Sequence, residues 1–164
     1  MTGRTFLDTN ILVYAVDEAD PSKQKIARTL LKQTDNIVIS AQVLNEFFVT
    51  VTRKLKPAVA PAVAAELVRR LAQLPCVAID AQLVQLALGA GQRWQLSHWD
   101  SLVIEAARQA GCTRVLTEDL AAGANYNGLM VENPFGPSGF EPLPHRGSSV
   151  SNALIDKLRD EEGV

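Results

Sequence analysis

Apolar positions along this chain alternate between short unbroken runs and longer stretches with helical spacing. Thr5-Phe6-Leu7 is a short run that stops at Asp8, and after Thr9 and Asn10 a second apolar run begins at Ile11. The first reads as a buried strand and the second as the opening turns of a helix. Ile26, Ala27, Leu30 and Leu31 then predict a helix over Ser22–Gln33, with Pro21 in its first turn and Asp20 as its cap. Ile37-Val38-Ile39 predicts a second strand ending at Ser40, followed from Ala41 by helical spacing of Val43, Leu44, Phe47, Phe48 and Val51. A further amphipathic stretch runs from Ala58 to Leu74, stopped by Pro75. Cys76–Ile79 predicts a third strand, after which Asp80 caps a helix over Ala81–Ala90 closed by Gly89 and Gly91. A polar, aromatic connection enters a mostly apolar helix at Asp100, which Gly111 ends. Arg114-Val115-Leu116 and Leu129-Met130-Val131 predict the last two strands, with a loop carrying Gly123, Asn125, Asn127 and Gly128 between them.

Strands that alternate with helices predict an α/β fold, a five-stranded parallel sheet with helices on both faces. At 164 residues the chain is long enough for one domain with a full core. With 47% hydrophobic and 21% charged residues it has a globular composition, not a disordered one. A net charge of −2 argues against holding nucleic acid by bulk positive charge, although an acidic metal site can lower net charge while its ion restores the attraction locally. The two cysteines, Cys76 and Cys112, lack metal-ligand spacing and are expected to be buried thiols in a reducing compartment. The N-terminus has no basic-then-apolar signal pattern, and no apolar run approaches the ~18 residues of a membrane span, so a cytoplasmic location without membrane association is expected.

Acids recur at equivalent places in this pattern: Asp8 after the first strand, Glu46 after the second, Asp100 at a helix start, Asp119 after the fourth strand. Loops at the carboxyl edge of a parallel sheet converge. Carboxylates brought together without counter-ions repel and raise one another's pKa values. A divalent ion resolves this, and oxygen-only ligands suit Mg2+ or Mn2+. The chemistry that follows is phosphodiester hydrolysis by activated water, with no covalent nucleophile. Each acid also has a bland role: Asp8 as a cap for the helix behind it, Glu46 and Asp100 as acids in a first helical turn. No GxSxG, GxxxxGK[ST] or GxGxxG is present, which leaves acyl transfer and nucleotide binding without support. The basic run Arg53-Lys54-Leu55-Lys56 is read either as a solvated helix end or as a phosphate contact.

FLDTNILVYA, VLNEFF, HWDSLVIEAA and VLTEDL followed by NGLMVENPF, in this order and spacing, resemble the PIN-domain nucleases, most closely the VapC-type toxins of toxin–antitoxin pairs. The resemblance implies a three-layer α/β/α sandwich over residues 1–135 and a metal-dependent endoribonuclease. It implies that Asp8, Glu46, Asp100 and Asp119 bind the metal and carry catalysis. Thr9 and Thr117 match hydroxyl positions that steady these carboxylates, and Asn10 and Asn45 match polar positions behind them. It implies an RNA substrate, a homodimer, and a cognate antitoxin whose C-terminal segment enters the groove. Ala122 stands where some members carry a further acid, with Glu118 as a local substitute or a solvated loop acid. The alternatives are a catalytically silent PIN-like binding module and a solitary RNA-processing nuclease.

Trp94, His98 and Trp99 are expected near the groove rim, with Trp99 packing as core support and Trp94 or His98 available to stack on a base. Residues 136–149 read as a Gly/Pro/Ser linker, and 150–164 as a short helical tail on Val150, Leu154, Ile155 and Leu158. That tail is read as frayed, or docked on its own domain or on a second subunit. Cover of the groove is the least favoured role, because it needs a cation there and only Arg146, Lys157 and Arg159 are candidates.

Overall fold

The computed structural model describes residues 3–136, so the linker and tail expected beyond Gly136 lie outside the described residues. Strand β1 (Arg4–Leu7) leads through helices α1 (Thr9–Val16) and α2 (Pro21–Gln33) to β2 (Ile37–Ser40). Helices α3 (Ala41–Arg53) and α4 (Pro61–Leu71) follow, then β3 (Cys76–Val77), α5 (Ala81–Trp94), α6 (His98–Gln109) and β4 (Cys112–Leu116). β5 (Asn125–Tyr126) and β6 (Leu129–Glu132) complete one sheet in the order β3-β2-β1-β4-β6-β5. All neighbours run parallel except β5, which pairs antiparallel with β6. The expected five-stranded parallel sheet is therefore present with one short antiparallel strand added at its edge. A two-residue strand leaves no periodicity to read, and Asn127 and Gly128, both at positive φ, form the tight turn into β6.

Strand order runs one way from β1 through β2 to β3 and the other way from β1 to β4. Right-handed crossovers then place α1 to α4 on one face and α5 and α6 on the other. The packing agrees: α1 lies on α2 and α3, α3 on α4, α5 on α6, and α6 against β2, β4 and β6. Phe6, Leu7, Ile39, Phe47, Ile104 and Leu116 are fully buried between these layers. At roughly 25 cal/mol per Å2 of apolar surface such side chains supply most of the driving force.

Three boundaries differ from expectation. α5 does not close at its glycines but runs on to Trp94, and Gln95 caps it in the left-handed conformation. Gly91 lies where α5 meets α6, and a Cβ there would stand 3.1 Å from the Ser101 hydroxyl, so the glycine permits close helix packing and does not end the helix. α6 begins at His98, capped by Ser97, whose Oγ accepts the Asp100 N–H at 3.1 Å; Asp100 thus belongs to the first turn and is not the cap. The cysteines form no disulfide, and Cys76 is exposed, against the expectation of two buried thiols, because the edge strand β3 is only two residues long.

Candidate functional site

The direction of strand order changes between β1 and β4, the switch point at which open α/β sheets bind ligands. Asp8 directly follows β1 and Thr117 directly follows β4. Asp8 is 5% exposed and Thr117 fully buried. The Asp8 N–H donates to Leu116 O at 3.1 Å, which extends the β1–β4 pairing into the site and fixes the two residues side by side.

The Thr117 hydroxyl is a hub. It donates to Asp8 Oδ2 at 2.8 Å and accepts the Asp119 N–H at 3.1 Å and Asn10 Nδ2 at 3.2 Å, which uses one donor and two acceptor positions. Asn10 Nδ2 also donates to Asp119 Oδ2 at 3.1 Å, and the Thr9 hydroxyl donates to Glu46 Oε2 at 2.7 Å. Asp8 Oδ1 accepts the Thr9 N–H at 2.8 Å, a contact one residue away and not the second- or third-residue bond of an ordinary cap. Capping therefore accounts for only one oxygen of Asp8. Thr9, Asn10 and Thr117 thus each donate a side-chain hydrogen bond to one of the carboxylates.

Asn45 does not. It is exposed on α3, and one residue of helix turns it away from Glu46. The supporting residue is Gln42, one turn back on the same face and 8% exposed. Gln42 Nε2 donates to Glu46 Oε1 at 2.9 Å and to Trp99 O at 3.3 Å, which ties α3 to the start of α6 beside Asp100. A polar residue four positions before an acid on a helix was the available sequence signal.

Electrostatics join all four acids. Burial raises the Asp8 carboxyl from 3.8 to about 6, opposed by the Thr117 hydroxyl and the Thr9 N–H and reinforced by the negative Asp119 and Glu46. Burial also raises the Asp100 carboxyl, opposed by Ser97 and reinforced by Asp119 and Glu46. The donors described around these carboxylates are neutral hydroxyls, amides and backbone N–H groups.

Glu118, beside Asp119 in sequence, is different. It accepts from the Tyr14 hydroxyl and from Lys23 Nζ at 3.0 Å, so it is an ion-paired residue, neither a solvated loop acid nor a free metal ligand. Lys23 Nζ also lies 4.6 Å from the Tyr14 ring centroid and 5.5 Å from that of Phe135. Burial and the bond to Glu118 raise the Tyr14 pKa.

An open groove of about 490 Å3 is lined by Thr9, Asn10, Tyr14, Glu46, Lys54 and Asp119 among others. Lys54, from the basic run, reaches this groove. Trp99 is 64% exposed next to Asp100, against its expected packing role, and His98 stacks edge-on to it at 5.5 Å. Trp94 is instead taken up by Tyr126 at 5.3 Å, with the Arg93 and Arg108 guanidinium groups over its ring.

Two amide oxygens at the site, Asn10 Oδ1 and Gln42 Oε1, are buried without a hydrogen-bond partner among the described residues. Unpaired buried acceptors beside unpaired carboxylates fit a site that takes a hard cation and its water. Among the described residues no three acidic, histidine or cysteine side chains are grouped closely enough to hold a metal ion by themselves. No helix among the described residues is long and apolar enough to cross a membrane.

Residues 5–123 match the profile of the PIN domain. Among solved structures the chain resembles VapC20 of Mycobacterium tuberculosis, described as a sarcin-ricin loop cleaving toxin. The identity is 21% and the TM-score 0.57, over 68% of this chain and 86% of that one. It also resembles VapBC2 from Rickettsia felis, bound to a DNA fragment from their promoter. Here the identity is 21% and the TM-score 0.54, over 79% of this chain and 97% of that one. A separate similarity is to the protein named "Putative antitoxin VapB44" in two Mycobacterium tuberculosis strains, 85% identical over 26 residues. That stretch is 16% of this chain and 32% of VapB44, so the chain spans about a third of the curated relatives it matches.

Proposed function

Because the chain belongs to the PIN-domain family, we propose that it is a metal-dependent endoribonuclease, the toxin component of a toxin–antitoxin pair, acting through Asp8, Glu46, Asp100 and Asp119. The observation that carries this reading is the buried Asp8 carboxyl, raised to about 6 and held by neutral donors, with Glu46 and Asp119 repelling it. Such an arrangement is unfavourable by itself and is relieved by a cation.

Mg2+ or Mn2+, when bound, supplies an activated water and a counter-charge for the phosphoryl oxygens. Asp8, Glu46, Asp100 and Asp119 would hold the ion. Thr117, Thr9, Asn10 and Gln42 hold the carboxylates in their orientations, as outer partners do in metal sites. Lys54 at the groove wall contacts a substrate phosphate, and exposed Trp99 offers a stacking face to an unpaired base. A net charge of −2 is then no obstacle, because local positive charge comes from the ion and Lys54. The solved structures it resembles include one described as a sarcin-ricin loop cleaving toxin, and the similarity to VapB44 supports an antitoxin as partner. By analogy with the family, the toxin works as a homodimer in the cytoplasm.

The test is incubation of the chain with structured RNA in Mg2+ or Mn2+, with end-group analysis. Cleavage that leaves 5′-phosphate ends, stopped by EDTA and by Asp100→Asn, is expected. Cleavage that survives chelation would contradict a metal-dependent mechanism.

A further inference from the structure

The groove continues past the acids, and its chemistry changes along the way. Glu46, Thr50 and Lys54 stand four residues apart on α3 and its C-cap, and Thr9, Val13 and Asp17 do the same on α1 and its C-cap. All six line the groove. The Thr9 hydroxyl donates to Glu46 Oε2 at 2.7 Å, which joins the two helices at the acidic end. Helical rise then carries Lys54 about 12 Å along the α3 axis from Glu46.

The walls fall into three zones. Carboxylates of Glu46 and Asp119 stand at one end, Val13, Tyr14 and Thr50 in the middle, and the Lys54 ammonium at the other end. Tyr14 is held in place, because its hydroxyl donates to Glu118 and accepts from Lys23 Nζ at 3.1 Å, while the Phe135 ring packs edge-on to it at 4.9 Å. Lys54 is exposed and forms no ion pair among the described residues. Asp17 closes the same end on the α1 side, where its carboxyl accepts the Ala19 N–H at 3.0 Å, so an anion there belongs on the Lys54 side.

We propose that this stretch is a nucleotide subsite for one unpaired RNA strand: with the scissile phosphate at the carboxylates, the adjoining nucleoside lies on Val13 and Tyr14, and Lys54 holds the phosphate about two nucleotides from the cut. The proposal rests on the nuclease reading for where the cut falls, and not for the contact between Lys54 and a phosphate. An ion-binding end, an apolar and aromatic middle and a cationic end repeat the order phosphate, nucleoside, phosphate. A lysine suits the last position, since a point charge on a flexible stem holds a phosphate whatever base is attached. An opening of about 490 Å3 between two helices admits a single strand, whose bases are free to turn onto the wall, and not a duplex, whose bases are stacked inside it.

The experiment compares the full chain with its Lys54→Met and Lys56→Met variants. Lys56 is an exposed neighbour that does not line the groove. Binding of a short fluorescein-labelled single-stranded RNA is followed by anisotropy in Ca2+ over a salt series. Cleavage of a longer RNA in Mn2+ is mapped after random ethylation of its phosphates. The subsite predicts that K54M binds about tenfold more weakly with a salt slope lower by about 0.7, and that K56M stays within about twofold. It predicts that ethylation about two phosphates to one side of the cut blocks cleavage by the unsubstituted chain and adds no further loss in K54M. Binding that depends on Lys54, with no cleavage by any of these proteins, would keep the phosphate contact and overturn the nuclease reading. Equal affinity and salt slope in K54M and the unsubstituted chain would overturn the subsite whatever the cleavage rate. Equal losses in K54M and K56M would assign the effect to diffuse charge and overturn it too. Equally tight binding of the same RNA as a duplex would overturn the single-strand fit.

Discussion

Glu118 and Asp119 are neighbours in sequence and opposites in environment. Glu118 is neutralised by Lys23 and held by Tyr14, at the rim where α1 and α2 meet the loop after β4. Asp119 faces into the groove, held by the amide of Asn10, and its charge raises the carboxyl pKa of both Asp8 and Asp100. One acid is a finished interaction that positions a loop, and the other is held by a neutral amide, which leaves its charge without a cationic partner among its described donors. A carboxylate's function thus follows from what its donors leave uncompensated, not from its place in a motif.

This contrast can be broken most severely at the centre of the unpaired set. Asp100→Asn is expected to reduce metal-dependent RNA cleavage on the order of a thousandfold, the scale for losing a principal electrostatic group. Steady-state cleavage rates check this, and retained activity would remove Asp100 from the site.

The next effect is on stability. With EDTA present, a raised Asp8 pKa stabilises the fold fully below 3.8, and that stability is lost as pH rises through about 6. Asp8→Asn should therefore be more stable than the unsubstituted chain above pH 6 by about 3 kcal/mol. The gap should close below pH 4, as read by urea melts across that range. A gap that widened on acidification would contradict the assignment.

Thr117→Val removes the hub hydroxyl and keeps the side-chain volume. Metal affinity should fall by about 10–100-fold, the usual effect of losing a group that orients a ligand. Titration with Mn2+ measures this, and circular dichroism confirms that the fold persists. In the finished cluster, Lys23→Met should cost about 1 kcal/mol in thermal or urea stability, as a partly exposed ion pair does. It should leave metal affinity within about twofold.

Much of the site was legible because strand ends and acids coincide. The run Phe6-Leu7-Asp8-Thr9-Asn10 encodes both the end of β1 and the residues that support Asp8. Gln42 was not read because its role depends on helical phase relative to Glu46 and on the approach of α6, a contact between elements distant in sequence. Trp99 misled because large aromatics next to a helix start are usually buried, whereas the Ser97 cap starts α6 early and turns this one outward. The glycines of α5 looked like a stop signal, yet Gly91 serves the packing against Ser101. Short range patterns carry elements, and they do not carry the distances between elements.

The comparison of neighbouring acids also supplies the most direct test. Mn2+ is titrated by calorimetry into Asp119→Asn and Glu118→Gln variants of the full chain under identical conditions. Affinity should drop at least about tenfold in Asp119→Asn, as for loss of a ligand or its close partner, and stay within about twofold in Glu118→Gln. Equal losses in both, or a larger loss from Glu118→Gln, would contradict the claim that the unpaired acids form the metal site.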